Sequence, residues 1–273
     1  MCRWLAYSGS PILLEDVLFK TDHSLIDQSL RALDASTTSN GDGFGIGWYG
    51  RRDLPGVYRD IRPAWNDSNL QALAAQIESP LFLAHVRATT FSPVQRTNCH
   101  PFSHEKWLFV HNGAINDFTK LHRDLAFAVS PELFPYIHGS TDSELMFLLA
   151  LTFGMEDDVR TGISRMAGFV EHAAEERGIE NALQMTLGIS DGNSLFAVRY
   201  STKRDSRSLF HSASRDATME IAPEAGRFSR DARAIVSEPL SDLEEEWVPV
   251  PESSFVTIIK GEITCEPFAP IAP

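Results

Sequence analysis

Residues 14–32 carry Val17, Leu18, Ile26, Leu30 and, one step beyond, Leu33 at a rough 3.6-residue period, which predicts a helix. The pattern then changes. Residues 45–49, 81–87 and 107–111 read as strands. In Thr141-Asp142-Ser143-Glu144 a threonine stands three residues before a glutamate and just ahead of the apolar run 145–151, a capping-box pattern that opens a buried helix. Val159, Ile163, Met166, Val170 and Ala173 mark a further, amphipathic helix. The last third is mostly strand. Residues 183–189 and 194–200 flank Asp191-Gly192-Asn193, a good hairpin turn, 232–236 follows, and 255–259 pairs with 262–266 around Lys260-Gly261. Helices grouped in the middle with hairpins at both ends predict an α+β fold of stacked sheets with helices outside, rather than a doubly wound parallel sheet.

Composition narrows the setting. The 273 residues are 43% hydrophobic and 22% charged, enough to bury a full core, and residues 2–273 are expected to form a single domain. No apolar run approaches the ~20 residues that span a bilayer. The start of the chain lacks a secretory pattern, because Cys2-Arg3-Trp4-Leu5-Ala6-Tyr7 is followed at once by Ser8-Gly9-Ser10-Pro11. Three cysteines, Cys2, Cys99 and Cys265, make no disulfide framework, and the chain reads as cytoplasmic. A formal charge of −13 without a basic block argues against nucleic acid or an anionic membrane as partner. Low-complexity linkers and fixed-period repeats are absent from the sequence.

Residues 40–50, Asn-Gly-Asp-Gly-Phe-Gly-Ile-Gly-Trp-Tyr-Gly, contain the spacing G-x-G-x-x-G at Gly45, Gly47 and Gly50. That fingerprint should open a helix, whereas Pro55-Gly56 makes a turn soon after, so dinucleotide binding is rejected. Alternate glycines in a strand instead leave one face bare for close approach by a backbone or a ligand. Asn98-Cys99-His100-Pro101-Phe102, with His104 and His111, fits no closed zinc spacing and reads as a structural loop with Cys99 packed as a small residue. Asp242 and Glu244-Glu245-Glu246 read as a solvated acidic face or loop.

Four further features each admit two readings. Arg87, ending the strand that contains His85, is either a surface salt-bridge partner or a bidentate clamp for a carboxylate. Asn112-Gly113, after His111, is either a hairpin turn or an oxyanion site made of a side-chain amide and a backbone N–H. Asp142 suits the first turn of a helix, where the dipole favours an acid, or could hold an ammonium group. Cys2 is either a small residue in a first strand or, once Met1 is removed, a nucleophile whose own α-amine is its general base.

Met1-Cys2, His85-Val86-Arg87-Ala88-Thr89, His111-Asn112-Gly113 and Thr141-Asp142-Ser143-Glu144, in that order, resemble the class II glutamine amidotransferases, a branch of the N-terminal-nucleophile hydrolases. The segment 231–240 also looks like a late strand of their stand-alone, YafJ-type members. The resemblance implies a four-layer αββα sandwich. It also implies that Cys2 attacks glutamine or a γ-glutamyl amide and that Asn112 and Gly113 hold the oxyanion. Arg87 would bind the substrate α-carboxylate and Asp142 the α-ammonium, with Thr89 and His85 as further substrate-binding residues. Arg3 and the strand 43–47 would lie near the pocket floor. No metal or organic cofactor is implied. Members fused to a synthase commonly carry a tryptophan where this chain has Ala88, and the chain leaves no room for a second domain after the final hairpin. A plain γ-glutamyl hydrolase is therefore the first expectation. A glutaminase subunit serving a separate synthase, a catalytically silent γ-glutamyl-binding module, a peptidase partner and a homo-oligomer stay open.

Overall fold

The computed structural model describes residues 2–30, 39–89, 92–213 and 229–273. Its strands are β1 (Arg3–Leu13), β2 (Phe44–Trp48), β3 (Gly56–Asp60), β4 (Glu78–Val86), β5 (Phe102–His104), β6 (Trp107–Ile115), β7 (Leu183–Ser190) and β8 (Ser194–Ser201). They continue with β9 (Phe210–Ser212), β10 (Arg233–Val236), β11 (Trp247–Pro249), β12 (Ser254–Ile259) and β13 (Glu262–Pro267). The helices are α1 (Leu14–Leu18), α2 (Leu25–Leu30), α3 (Ser68–Ala74), α4 (Phe118–Ala128), α5 (Asp142–Thr152) and α6 (Val159–Glu175).

Strand β1 shows how alternation builds the layers. Its Leu5 and Tyr7 join Leu14, Val17, Leu25, Phe44, Leu70 and Phe82 in the core beneath α1–α3. Its Trp4 and Ala6 point the other way, into a second core with Leu81, Leu83, Leu108, Val110, Ala197 and Val256. The first sheet runs β11-β9-β10-β1-β4-β2-β3 and the second β13-β12-β8-β7-β6-β5. Phe109, Met185, Leu187 and Ile189 on the far face of the second sheet pack against the apolar faces of α4–α6. The result is the four-layer αββα sandwich implied by the resemblance. Among the described residues no helix is long and apolar enough to cross a membrane.

The late hairpins fall where their turn residues place them, with Gly192 at φ 92° and Lys260-Gly261 at φ 50° and 80°. The expected helix over 14–32 is instead two. Helix α1 ends at Leu18, and Ser24 restarts the turn as a cap: its hydroxyl accepts the Asp27 N–H at 3.1 Å and donates to the Asp27 carboxylate at 2.6 Å. The intervening Lys20-Thr21-Asp22-His23 has no apolar position to hold a continuous helix on the sheet, and a capping side chain competes with it. Ala32 and Leu33 lie outside the described residues. The acidic stretch near 244 also differs from its reading as a wholly solvated face. Glu246 is buried and accepts the Ser241 hydroxyl at 2.7 Å.

The bare face of β2 is covered by protein. A Cβ at Gly45 would lie 2.2 Å from the His100 carbonyl oxygen, and one at Gly47 would lie 2.8 Å from Leu108. The glycines thus let the His100-Pro101 segment and the second sheet close over β2.

Candidate active site

Antiparallel pairing of β1 with β4 sets Arg3 opposite Val86 and Trp4 opposite His85. One step further along the same ladder, Cys2 comes beside Arg87. The Cys2 thiol is half-buried and donates to the Ala88 carbonyl at 3.5 Å. Burial pushes this thiol up, the Arg87 charge pulls it down, and Asp142 opposes ionisation. Thus both the candidate clamp and the candidate ammonium site act electrostatically on the candidate nucleophile.

The backbone beneath Cys2 is fixed from the other side by residues that immediately follow β10. The Ser237 hydroxyl accepts the Trp4 N–H at 3.0 Å, and the Ser237 N–H donates to the Trp4 carbonyl at 3.0 Å. Arg3 donates to the Cys2 carbonyl at 2.9 Å and forms a buried ion pair with Glu238. The sequence marked 231–240 only as a late strand. Its anchoring of the β1 start is a finding of the structure.

Arg87 is 3% exposed, which overturns the reading of a surface salt bridge. Its N–H donates to the Gly43 carbonyl at 2.8 Å, and its guanidinium donates to the Asp42 carbonyl at 3.2 Å and the Ser92 hydroxyl at 2.6 Å. It also donates to Thr89 Oγ1 at 3.2 Å and the Pro93 carbonyl at 3.3 Å. The Thr89 N–H in turn donates to the Asp42 carboxylate at 2.8 Å. A loop is wrapped around one cation, and neither Asp42 nor Ser92 was singled out from sequence. Thr90 lies outside the described residues.

Asn112-Gly113 is not a turn. Strand β6 runs straight through it, with Asn112 opposite Thr186 and Gly113 opposite Met185 of β7. The glycine is required by close approach: a Cβ there would lie 1.9 Å from the Gln184 carbonyl oxygen and 2.6 Å from His111 Nε2. Among the described residues the Asn112 side-chain amide has no hydrogen-bond partner, although the residue is buried. Its strand is tied to that of Cys2 by a bridge across the sheets. Trp4 Nε1 donates to Thr186 Oγ1 at 3.2 Å, and the Thr186 hydroxyl donates to the Asn112 carbonyl at 3.2 Å. Thr186 carried no signal in the sequence.

Asp142 opens α5. Its Oδ2 accepts the Ile115 N–H at 2.8 Å, which locks the helix start to the end of β6, and its Oδ1 accepts the Ser143 N–H at 2.7 Å. Thr141 is the expected cap, accepting the Glu144 N–H at 3.2 Å. Glu144 does not complete the box. Its carboxylate accepts the N–H groups of His138 and Gly139 instead, at 3.1 and 2.7 Å, and burial raises its carboxyl.

Three histidines lie behind these groups. His85 is fully buried, with Nε2 at 3.2 Å from the His111 carbonyl and its ring stacked on His100 at 4.2 Å. Burial, then the Arg87 charge, lowers the His85 imidazole to about 3. His100, whose two ring nitrogens have no partner among the described residues, is pushed down by burial and by its neighbours' charge. His111 is lowered by burial against the pull of Asp142. Its Nδ1 lies 2.8 Å from Ser143 Oγ and its Nε2 3.3 Å from the Gln184 carbonyl. Cys99 is buried beside Gly43, its thiol raised by burial. The structure therefore brings Cys2, Arg87 and Asp142 within electrostatic reach of one another, sets Thr89 and His85 beside Arg87, and ties the Asn112 strand to β1 through Thr186 and Trp4. A thiol, an unspent amide and two opposite charges form the kind of set that acyl transfer from an α-amino acid side chain requires.

A family model described as glutamine amidotransferases class-II matches residues 15–270. The chain is 33% identical over 301 residues to the probable glutamine amidotransferase DUG3 of Saccharomyces cerevisiae, covering 98% of this chain and 84% of that protein. Over 118 residues it is 30% identical to the gamma-glutamyl-hercynylcysteine sulfoxide hydrolase of Mycolicibacterium smegmatis, taking in 42% of this chain and 52% of that protein. Among solved structures, a glutamine aminotransferase class-II domain protein from Silicibacter pomeroyi matches with a TM-score of 0.77 at 33% identity, covering 99% of this chain and 100% of that one. The glutamine phosphoribosylpyrophosphate amidotransferase of B. subtilis shares the fold, with a TM-score of 0.67 at 14% identity, over 98% of this chain and 49% of that one.

Proposed function

The chain belongs to the class II glutamine amidotransferases, and from that premise we propose that it hydrolyses a γ-glutamyl amide through a thioester on Cys2. The matched family span begins at residue 15, so the role of Cys2 rests on its surroundings. Removal of Met1, which lies outside the described residues, frees the Cys2 α-amine. That amine takes the thiol proton, and the thiolate sulfur bonds to the γ-carbonyl carbon. Asn112 and the Gly113 N–H stabilise the oxyanion. The C–N bond breaks, the leaving nitrogen receives the proton held by the α-amine, and a γ-glutamyl thioester remains on Cys2. Water then attacks the thioester, releasing the γ-carboxylate and restoring the thiol. Arg87, steadied by Thr89, faces the α-carboxylate, Asp142 faces the α-ammonium, and His85 backs the site. The scheme calls for neither a metal nor an organic cofactor.

One observation carries this reading: both charges that a zwitterionic substrate needs reach the Cys2 thiol, while the amide of Asn112 is left unspent. The names of the relatives support γ-glutamyl chemistry, as an amidotransferase in one case and a hydrolase in another. Met1-free protein should hydrolyse members of a panel of γ-glutamyl peptides, and Cys2→Ala should abolish turnover. Glutaminase activity that appears only with a co-purifying partner would instead identify an ammonia-delivering subunit. Stoichiometric binding of a γ-glutamyl ligand with no labelling of Cys2 by a glutamine-mimicking electrophile would identify a silent module.

A further inference from the structure

We propose that Ser143, backed by His111, is a positioning residue that frees or blocks Asp142 for the substrate α-ammonium according to the protonation of His111, an inference that rests on the γ-glutamyl reading above. The argument is one of donors and acceptors. His111 Nε2 lies 3.3 Å from the Gln184 carbonyl, an approach open only because Gly113 has no Cβ. A carbonyl only accepts, so Nε2 carries a hydrogen and, in a neutral ring, Nδ1 is the acceptor. The Ser143 hydroxyl has one proton and two acceptors within reach, His111 Nδ1 at 2.8 Å and Asp142 Oδ1 at 3.1 Å.

While His111 is neutral, its Nδ1 has no other donor among the described residues and takes that proton. Asp142 Oδ1 and Ser143 Oγ then stand 3.1 Å apart with no hydrogen between them, two acceptors suited to the N–H groups of one ammonium. When His111 gains a proton, Nδ1 becomes a donor to Ser143 Oγ, and the serine turns its own proton onto Asp142 Oδ1. Every bond is then satisfied internally, and the imidazolium supplies the positive charge that the substrate would bring. Protonated His111 is thus an internal competitor of the ligand. Burial lowers the titration of this ring below that of an ordinary histidine, so competition sets in on the acid side. The other titratable groups around this relay are Cys2 just before β1, His85 in β4 and Arg87 just after it, His100 ahead of β5, and Asp142 at the start of α5.

The test compares L-γ-glutamyl-p-nitroanilide with glutaryl-p-nitroanilide, which lacks the α-amino group, across pH. For the amino probe, KM should rise as pH falls through the His111 transition while kcat follows the same profile for both probes. H111Q keeps an N–H for the Gln184 carbonyl but cannot titrate, and should lose this component of KM. S143A should lose it as well, with the preference for the amino probe falling about tenfold, and S143T should restore both. If H111Q and S143A keep the wild-type KM profile while Asp142→Asn abolishes the preference, the relay is wrong and the γ-glutamyl reading stands. A wild-type enzyme that shows no preference for the amino probe, or turns over neither, overturns the reading and the relay together.

Discussion

At the scale of single residues, the candidate site separates groups proposed to do chemistry from groups that make room for them. The Asn112 amide has no partner among the described residues, so removing it breaks no internal bond. Asn112→Ala should therefore lower kcat by about 10²–10³ in steady-state assays while leaving the melting temperature nearly unchanged. Gly113→Ala should lose both, because a methyl group 1.9 Å from the Gln184 carbonyl must part β6 from β7 and displace His111. Equal melting losses in the two variants would sink this division. The residues that local motifs could mark, namely Cys2, Arg87, Asn112, Gly113 and Asp142, were legible because each sits in a short pattern with its own chemistry. Thr186, Ser237 and Asp42 were not. Thr186 matters because it meets a tryptophan 182 positions away, and Ser237 because it faces Trp4 across β10 and β1, 233 positions away. Such meetings are set by strand register between distant segments, which no local window contains.

At the scale of elements, hairpins with strong turns were readable, and so were helix α5, from its cap and apolar run, and helix α6, from its period. The extent of strand β1 is not readable from sequence because it is buried on both faces, and Arg3-Trp4-Leu5-Ala6-Tyr7 shows no clean alternation of polar and apolar residues. The helix over 14–32 failed for the opposite reason, since a sound apolar period hid a polar restart at Ser24. Ser24→Ala should cost about 1 kcal/mol in chemical denaturation, the ordinary worth of an N-cap, and should not alter turnover. The start of β1 depends on a more demanding contact. Arg3 and Glu238 form an ion pair with side chains 3% and 5% exposed, and Arg3 also holds the Cys2 carbonyl. Glu238→Ala removes the buried counter-charge that pairs with Arg3 among the described residues, a loss that typically costs about 3–5 kcal/mol. The same change should lower kcat, because the backbone carrying the proposed nucleophile loses its anchor. Full activity in a destabilised E238A enzyme would show that Arg3 serves stability alone.

At the scale of the whole molecule, the two sheets are joined through a seam that is apolar over most of its length, from Trp4 and Leu108 to Val256, but holds imidazoles near the site. His85 and His100 stack there, and His111 lies on the adjoining face of β6 toward α5. Burial lowers all three, His85 to about 3. In the unfolded chain each returns to about 6.5. Between those limits the unfolded state binds more protons than the folded one, so stability is complete above about pH 6.5 and falls as pH drops. Each such histidine contributes a slope of about 1.4 kcal/mol per pH unit over its own window. His100 is the one to remove, because neither ring nitrogen has a partner among the described residues and a phenyl ring can keep its contacts with His85 and Phe102. In urea titrations run downward from about pH 6.5, His100→Phe should shed about 1.4 kcal/mol per pH unit of the acid slope, while losing no stability near neutrality. An unchanged slope would mean that His100 is already charged in the folded protein, and the seam would then have to contain a counter-charge for it.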